Sequence, residues 1–461
     1  MTNAKKLLFL CKALSIKAYI NFQLLKEDSM PNIHIAFPVV LFMVKMLNDN
    51  HDTLHSYLFR LLFNFGIVVP KRLLISILIQ PIIGINYQSH YQELYPEIKQ
   101  FYSSYFQLYC PSKIKFFVNK ITNSMVTWKI LLFQAKLVKA DCPQLLHSPQ
   151  GDVLDIDGST LKSCSSKKEG AEIGFNKKSK GKPCFQLSAS FIGKIFIDLK
   201  LFAGHRNPKV HFQKAVKRAK SLGLPFEIVR ADSAYLTLEN LLFLVELSLG
   251  YAIGVPGTFS AVKKGIRSLK VLARRKSPAI IHTATKGVSL LDLGWVVLSD
   301  GIRTRLIIVR RISRRKNRKT GKWKVRTYYY AIASNLKMPP LKLLAFYHKR
   351  QCIEAGFREL KNHYYLERLP FKSLKANEFW IACKLLAMTL FKIFQAKALS
   401  KAQQSLLLKT FMRKILQKGL RFDLTGKVEI FARDCNTWLL RRLMAKVGKM
   451  KLSIILCKSM T

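Results

Sequence analysis

A change of hydrophobic period near residue 150 constrains the fold of this chain more than any other feature of its sequence. From Asp152 onward, apolar residues alternate with others in three runs, DVLDIDGS, CFQLSASFIG and KIFIDLKLFAG, which are bounded by Gly, Pro or Lys-rich turns. This pattern predicts three β-strands. The next segments predict a helix (PKVHFQKAVKRAKSLG), a strand (FEIVRADS), a helix (TLENLLFLVELSLG) and a short strand (YAIGVPG).

The order of these predicted elements indicates an α/β fold with a ribonuclease H-like core, although other α/β folds share parts of that order. Residues 1–150 carry apolar and basic residues at helical spacing between prolines, which predicts a helical N-terminal domain. We predict that 151–257 form the first part of the core and 328–400 its second part. Residues 258–327 are predicted to be a β-rich basic insertion, and 401–461 a basic C-terminal region that could serve dimerisation.

The predicted insertion is densely basic, because 12 of the 24 residues from Arg303 to Arg326 are Lys or Arg. Its segments RLIIVRRIS and KWKVRTYYYAIAS are expected to pair as a hairpin across residues 317–321. Basic residues at such a tip can contact phosphates. The candidate DNA-binding residues there are Arg314, Arg315, Arg318 and Lys319.

The net charge is strongly positive, with 78 Lys and Arg against 26 Asp and Glu and a formal charge of +52. Such a charge favours a polyanionic partner and salt-dependent binding. Nucleic acid is the favoured partner, but a membrane surface or a ribosomal RNA scaffold would suit the charge equally well. The nine cysteines include no C-x-x-C pair, which disfavours a zinc site and a disulfide framework and favours a reducing cytoplasm.

No transmembrane segment is predicted from the sequence. The most apolar run extends from Leu73 to Ile85, and Gln80 and Pro81 interrupt it. It is also shorter than the roughly 20 residues that a membrane-spanning helix needs.

Two predicted strands carry carboxylates where a metal ion could bind. Asp155 and Asp157 alternate along the first strand, so their side chains share a face, and Gly158 is predicted to end the strand. Asp232 ends FEIVRADS, at the carboxyl edge where α/β sheets hold their ligands. Each of these aspartates, taken alone, is more simply interpreted as a capping or turn residue.

The segment YHKRQCIEAGFRELK contains the most specific spacing in the chain. Tyr347, Arg350, Glu354 and Lys361 are separated by two, three and six residues, which would place all four along one stripe of a single α-helix. The simpler interpretation is a solvated helix face with an ion pair between Arg350 and Glu354, worth about 0.3 to 0.5 kcal/mol.

This spacing matches the Y-(2)-R-(3)-E-(6)-K signature, so the chain resembles bacterial transposases of the insertion-sequence-four superfamily. DIDGST, GFNKKSKGKP, RADSAY, YAIGVP, RELKN and LERLPF are similar to the insertion-sequence-thirteen-eighty group, and the resemblance covers about residues 150 to 395. It implies a metal-binding catalytic triad of Asp157, Asp232 and Glu354. It also implies that Tyr347, Arg350 and Lys361 contact the transposon end. The position of the helical domain, residues 1–150, before the core predicts that this domain binds the DNA end.

The resemblance further implies two Mg²⁺ or Mn²⁺ ions per active site, because hard cations prefer carboxylate oxygens and can serve in-line phosphoryl displacement. The family stacks an aromatic residue of the insertion on a flipped base. Trp323 and Trp295 are both available for this role, and Trp295 is equally well interpreted as a core residue because it lies in the apolar run LDLGWVVLS.

The expected function is that of a transposase that binds terminal inverted repeats and performs strand cleavage and strand transfer. Its expected partners are double-stranded DNA and a second copy of the chain, with no membrane, in the bacterial cytoplasm on the nucleoid. Two alternatives stay open. One is a catalytically silent DNA-binding repressor or relic, and the other is a structure-specific nuclease, which would not need the insertion or the signature helix.

Overall fold

A computed structural model describes residues 71–82, 85, 88–102, 108–148, 152–163, 165–177, 179–298, 303–316, 321, 323–411, 421–424 and 428–431 of the chain. In chain order the helices before the main sheet are α1 (Lys71–Ile79), α2 (Gln88–Tyr102), α3 (Pro111–Asn119) and α4 (Ser124–Asp141). The later helices are α5 (Phe212–Ser221), α6 (Leu238–Glu246), α7 (Ser260–Arg274), α8 (Pro340–His348), α9 (Gln351–His363), α10 (Leu374–Ala398) and α11 (Leu408–Phe411).

The strands of the first half of the sheet are β1 (Val153–Lys162), β2 (Glu172–Ile173), β3 (Pro183–Ile192), β4 (Ile195–Ala203), β5 (Ile228–Ala231) and β6 (Gly250–Val255). The remaining strands are β7 (Ile281–His282), β8 (Val288–Val297), β9 (Arg303–Lys316), β10 (Trp323–Ser334), β11 (Arg421–Leu424) and β12 (Val428–Phe431). The last two pair with each other, in the region that the sequence predicts to be C-terminal and basic.

The central part of the sheet is mixed, in the order expected of a ribonuclease H-like core. β3 pairs antiparallel with both β1 and β4, whereas β5 pairs parallel with β1 and β6 pairs parallel with β5. The strand and helix order predicted from residue 151 to residue 257 is therefore confirmed. Asn207 precedes Pro208 in the sequence, which predicts a helix N-cap there, and its side chain accepts a hydrogen bond from the Lys209 amide. The helix that it caps is a short 3-10 helix, Pro208–His211, which leads directly into α5.

The longest helix, α10, forms the centre of the core on one side of the sheet. It packs against β4 and against α1, α3 and α4, so these helices before residue 150 share one hydrophobic core with the sheet. Among the described helices, α10 is long and apolar enough to cross a membrane, but 89% of its most apolar window is buried inside the protein. A helix that is apolar all round is typical of such a buried position.

The predicted β-rich insertion differs from expectation at both of its ends. It begins with a 15-residue helix, α7, which the sequence analysis did not predict. At the other end, β10 extends across the predicted boundary at residue 327, and its last four residues pair with β6 of the core. The predicted hairpin itself is confirmed, because β9 and β10 pair from Trp323 opposite Lys316 to Ser334 opposite Arg305. The insertion is therefore a direct continuation of the core sheet. The division of the chain into domains stays a prediction.

The prediction of one continuous signature helix is wrong, because α8 ends at His348 and α9 begins at Gln351. Around the junction the amides of Lys349 and Arg350 donate to the carbonyls three residues earlier, those of Phe346 and Tyr347. The Phe346 carbonyl also accepts a hydrogen bond of 2.6 Å from Arg230 Nη1. This side-chain donor takes the place of the Arg350 amide, so the helix tightens and bends there.

Candidate active site

Two of the predicted triad carboxylates lie side by side on neighbouring strands. Ile156 of β1 pairs with Ala231 of β5, so Asp157 and Asp232 occupy the next positions along these two parallel strands. The prediction that β1 ends at Gly158 is wrong, since the strand continues to Lys162 along its partner β3. Asp157 therefore lies within β1. Of the two aspartates, only Asp232 follows the end of its strand.

Both aspartates also make the local hydrogen bonds that their simpler interpretation predicts. Asp157 Oδ1 accepts from the Gly158 amide at 2.8 Å, and Asp232 Oδ1 accepts from the Ser233 amide at 2.7 Å, capping the short turn that follows β5. One oxygen of each carboxylate is used in this way. A metal role and a local capping role are thus compatible in the same side chain.

Arg350 joins the third carboxylate to the first. Its Nη1 donates to Asp157 Oδ2 at 2.9 Å and its Nη2 donates to Glu354 Oε1 at 2.7 Å. The Arg350 side chain is only 14% exposed, whereas 43% of the Glu354 side chain is exposed. A solvated helix face is therefore excluded for Arg350, because its guanidinium is buried between two carboxylates from different elements.

The neighbouring carboxylates act on the charge of Asp157. The pKa of Asp157 is raised to about 6, mainly by burial and to a smaller extent by the charges of Asp232 and Glu354. The Arg350 guanidinium and the Gly158 amide oppose this shift only in part. The structure therefore brings Asp157, Asp232 and Glu354 into one charged cluster, with Arg350 as its cation.

Tyr347 is a buried residue that lies next to Arg350. It is 9% exposed, and burial raises the pKa of its hydroxyl to about 12, with the Arg350 charge opposing that shift. A Cβ at Gly254 would lie 2.7 Å from the Tyr347 hydroxyl and 3.0 Å from the Ser233 amide. Glycine at position 254 thus allows the phenol to approach the turn that carries Asp232.

Lys361 lies two turns beyond Glu354 on α9 and contacts the strand that carries Asp157. Its ammonium donates to the Thr160 carbonyl at 3.1 Å and lies 3.5 Å from Glu367 Oε1. The side chain is 25% exposed. Lys361 therefore lies along the same groove between β1 and α9, separated from the carboxylate cluster.

A second ion pair behind the cluster was missed by the sequence analysis. Arg230 Nε and Nη2 donate to Asp155 Oδ1 and Oδ2, both at 2.8 Å, with both side chains almost fully buried. Cys352 Sγ also donates to Asp155 Oδ2 at 3.0 Å. Arg230 precedes Asp232 by two residues, so the two side chains are expected on the same face of the strand. This alternation was the signal from which a place for Arg230 near the carboxylates could have been predicted. Nothing in the sequence pattern indicates Cys352.

The predicted DNA-binding residues of the hairpin lie far along β9 and β10, away from the carboxylates. Trp323 is 67% exposed and Arg314 is exposed, while Arg315 pairs with Lys324 through its backbone. Arg318 and Lys319 lie outside the described residues. Trp295 on β8 is 50% exposed, so the core interpretation of this tryptophan is wrong.

The donor set of the cluster suits a hard divalent cation, because all three side chains offer carboxylate oxygens. Among the described residues, however, no three His, Cys, Asp or Glu side chains are arranged closely enough to hold a metal ion. The Arg350 guanidinium lies between Asp157 and Glu354 and separates their free oxygens. The side chains therefore fit a metal by chemistry, provided that Arg350 releases at least one carboxylate.

Comparison with protein families agrees with this fold. The model of the transposase DDE domain matches residues 148–390, a range that includes all three carboxylates and the whole central sheet. The chain belongs to this family of DDE transposases. No curated protein matches the sequence.

The two aspartates of β1 are expected to respond in opposite ways to substitution. Asp155→Asn leaves the buried Arg230 charge without its partner and should lower the free energy of unfolding by roughly 3 to 5 kcal/mol. Asp157→Asn removes a carboxyl whose neutral form the fold prefers, so the free energy of unfolding at pH 7 should be unchanged or higher. Urea denaturation of the purified variants measures both.

The pH dependence supplies the control for this prediction. The folded pKa of Asp157, about 6, exceeds its unfolded value of 3.8, so its contribution to stability is complete below pH 3.8 and is lost as pH rises through 6. Asp157→Asn should remove this dependence of the free energy of unfolding on pH. The double variant Asp155→Leu with Arg230→Met should recover most of the loss caused by Asp155→Asn. If Asp155→Asn and Asp157→Asn lowered the free energy of unfolding equally, the assignment of a structural role to Asp155 alone would be contradicted.

Proposed function

We propose that the chain is a DNA transposase that binds the terminal inverted repeats of an insertion sequence and catalyses strand cleavage and strand transfer. This proposal is supported by two observations within the region that matches the DDE transposase domain: Asp157 and Asp232 directly follow paired residues of β1 and β5, and Arg350 links Asp157 to Glu354 of α9. The Y-(2)-R-(3)-E-(6)-K spacing supports placement in the insertion-sequence-four superfamily and its thirteen-eighty group.

The proposed catalytic residues are Asp157, Asp232 and Glu354, which would hold two divalent cations, Mg²⁺ or Mn²⁺. When bound, such ions activate a water or 3′-hydroxyl and stabilise the leaving oxygen in phosphoryl displacement. The Glu354 side chain is 43% exposed, against 13% for Asp157, and lies in the first turn of α9. Its rotation away from Arg350 would therefore disturb the buried core less than a movement of Asp157.

Arg350 is proposed to bind a phosphate next to the scissile bond. Its two Nη groups already contact anionic oxygens from two directions, and a phosphate offers the same geometry to a guanidinium fork. Tyr347, which is buried beside it, is proposed to position Arg350 and to expose only its ring edge to DNA. Lys361 is proposed to contact the DNA backbone farther along the groove.

The hairpin of β9 and β10 is proposed as a second DNA contact. Near its tip Trp323, Lys324, Val325 and Arg326 are all exposed, so both faces of the ribbon are open to solvent. Arg314, Arg315, Arg318 and Lys319 would contact phosphates there, with Trp323 as the stacking residue.

The proposed partners are double-stranded DNA and, in the DNA complex, a second copy of the chain. The proposed location is the bacterial cytoplasm, on the nucleoid.

Substitution of the catalytic carboxylates is expected to separate cleavage from binding. Ala at position 157, 232 or 354 should abolish nicking of a transposon-end duplex, because the carboxylate ligands are lost. Binding of that duplex should change little, since Lys and Arg supply the phosphate contacts. Gel-shift and cleavage measurements on one preparation test both parts, with Asp141→Ala at the end of α4 as the matched control. An Asp232→Ala protein that still nicks ends would refute the triad, and a wild type that binds without cleaving would favour the silent relic.

Neutralising the hairpin tip should weaken the salt dependence of DNA binding. Replacing Arg314, Arg315, Arg318 and Lys319 together by Ala should reduce the slope of log affinity against log salt concentration by about 0.9 for each lost phosphate contact. Fluorescence anisotropy over a range of NaCl concentrations measures the slope. Lys113→Ala and Lys115→Ala on α3 serve as controls for the loss of charge alone. A slope equal to that of the wild type would show that the hairpin is a solvated surface.

Arg350→Lys is expected to impair cleavage more than Lys361→Arg. A lysine at position 350 presents one ammonium group and cannot bridge two anionic partners as the guanidinium does. Lys361 acts as a point charge beside the Thr160 carbonyl and Glu367, so an arginine can replace it. Single-turnover cleavage of a synthetic transposon end compares the two variants. If both stay within about twofold of the wild type, as a solvated ion pair predicts, the DNA-contact roles are refuted.

A further inference from the structure

The helix α7 carries a stripe of cations along its exposed side. The four members of this cationic stripe are exposed and follow one another at intervals of four, three and four residues: Lys263, Arg267, Lys270 and Arg274. With about 3.6 residues per turn, these intervals keep the four side chains within about 60° of one another around the helix axis. At a rise of about 1.5 Å per residue, the cationic stripe is roughly 16 Å long.

The opposite side of α7 holds the helix against the sheet of the insertion. It consists of three buried residues, Val262, Gly265 and Leu269, and it packs against β8 and β9. A Cβ at Gly265 would lie 2.7 Å from Ile308 Cγ1 of β9, so glycine at this position lets the helix lie close to the strand. The direction of the cationic stripe is therefore set by the packing on the other side of the helix.

The chain around this stripe contains no acidic residue. From Leu247 to Leu291 there is no Asp or Glu, whereas residues 263–276 contain seven Lys and Arg. Asp292, the next acidic residue, is already paired with Arg305 at 2.6 Å. Like charges one turn apart repel one another, and a polyanion along the stripe would relieve this repulsion and release its own counterions. A phosphate backbone is therefore the kind of partner that fits this surface.

Two neighbouring residues of β10 show that α7 and α8 cover opposite faces of the sheet. The Lys270 ammonium of α7 lies 5.3 Å from the centre of the Tyr329 ring, whereas Tyr330 Oη lies 2.6 Å from His348 Nε2 of α8. Adjacent side chains of a strand point to opposite faces. Tyr347 packs on the α8 face as well. A duplex bound along α7 would therefore be separated by the sheet from the junction between α8 and α9.

The hairpin continues the cationic surface on the α7 face. Arg314 is exposed and lies six residues beyond Ile308, which contacts α7, so the two side chains share that face of β9. Arg311 is also exposed, but it lies on the α8 face, where its charge acts on Tyr330 and His348. The two arginines therefore offer the same chemistry on opposite faces of one ribbon.

The chemistry of this surface suits phosphates rather than a particular base sequence. Apart from Ser268, the exposed polar residues of α7 are all Lys or Arg, and the helix has no Asn or Gln with which to read adenine. At about 3.4 Å per phosphate along one strand, a stripe of roughly 16 Å matches about five phosphates. Contacts to phosphates position a duplex without reading its sequence.

We infer that α7 and the adjoining face of the hairpin bind the backbone of the target DNA duplex without sequence preference. The inference rests on the proposed transposase function, because strand transfer joins a transposon end to a second duplex. The proposed contacts to the transposon end belong to α8 and α9. A second duplex on the α7 face would not compete with them for the same side chains.

Fluorescence anisotropy with a labelled duplex of random sequence, in EDTA so that no cleavage occurs, tests the inference. The triple variant Lys263→Gln, Arg267→Gln and Arg274→Gln should reduce the slope of log affinity against log salt concentration by about 0.9 for each lost phosphate contact. The charge-conserving variant Lys263→Arg, Arg267→Lys and Arg274→Lys should bind within about threefold of the wild type, because it keeps every charge. Both variants should melt at or above the wild-type temperature, since the changed side chains are exposed.

Matched variants separate this surface from the effect of charge in general. Three cations on and just after α3 are removed together in the control variant: Lys113→Gln, Lys115→Gln and Lys120→Gln. This control should keep the wild-type slope for the random duplex. In the hairpin, Arg314→Gln should weaken binding of that duplex, whereas Arg311→Gln should leave it unchanged. Equal reductions in the α7 and α3 variants, or an unchanged slope in the α7 variant, would overturn the inference.

A duplex of the element's own terminal repeat distinguishes the target from the transposon end. The glutamine variant of α7 should bind this duplex within about twofold of the wild type, because phosphate contacts on α7 are not part of end recognition. A parallel loss for both duplexes would assign α7 to the transposon end and overturn the inference. A larger loss for single-stranded RNA than for duplex DNA would identify a different partner and overturn it as well.

Cleavage of the terminal repeat with Mg²⁺, measured on the same preparations, separates failure of the inference from failure of the proposed function. A wild type that cleaves ends, together with an α7 variant that binds random duplex as the wild type does, refutes the inference alone. A wild type that cleaves nothing, while the α7 and Arg314 effects are present, refutes the proposed function and supports a duplex-binding surface on α7.

Discussion

The buried pair of Asp155 and Arg230 is the interaction on which the geometry of the site depends. It joins β1 to β5 through two hydrogen bonds of 2.8 Å, and the third arm of the guanidinium binds the Phe346 carbonyl at the end of α8. The guanidinium carbon also lies 4.8 Å from the centre of the Phe346 ring. One residue thus positions both aspartate strands relative to the junction that carries Arg350, and breaking the pair would displace all of them together.

Charge balance at the carboxylate cluster follows from that arrangement. Three carboxylates drawn together in a half-buried site repel one another, and the Arg350 guanidinium offsets this repulsion. A DNA phosphate would compete with Asp157 and Glu354 for the same guanidinium, because all three are oxyanions that accept from its Nη groups. If Arg350 bound a phosphate instead, Asp157 Oδ2 and Glu354 Oε1 would both become available to a cation. DNA binding and metal binding are therefore expected to favour each other at this site.

The sequence predicted the elements of the core well and their junctions poorly. Alternation and capping residues are local properties, so β1, β3 to β6 and the Asn207 cap could be inferred from residues 152–257. The break between α8 and α9 could not, because its cause is the Arg230 side chain, which lies 116 residues from Phe346 in sequence. The extension of β1 past Gly158 likewise depends on pairing with β3. The spacing of Tyr347, Arg350 and Glu354 was informative even though the single-helix geometry inferred from it was wrong.

The strand β10 belongs both to the insertion and to the core sheet, a connection that the composition of the insertion does not indicate. Ala331 to Ser334 pair with β6, while the other end of β10 reaches the exposed Trp323. The eight residues from Trp323 to Tyr330 extend beyond this pairing, so at about 3.4 Å per residue the tip of the strand lies roughly 27 Å from the core as part of the same sheet. Gly254, which faces the Tyr347 hydroxyl, pairs with Ile332 of β10. Paired backbone therefore connects the hairpin directly to the strand beside Tyr347 and Asp232.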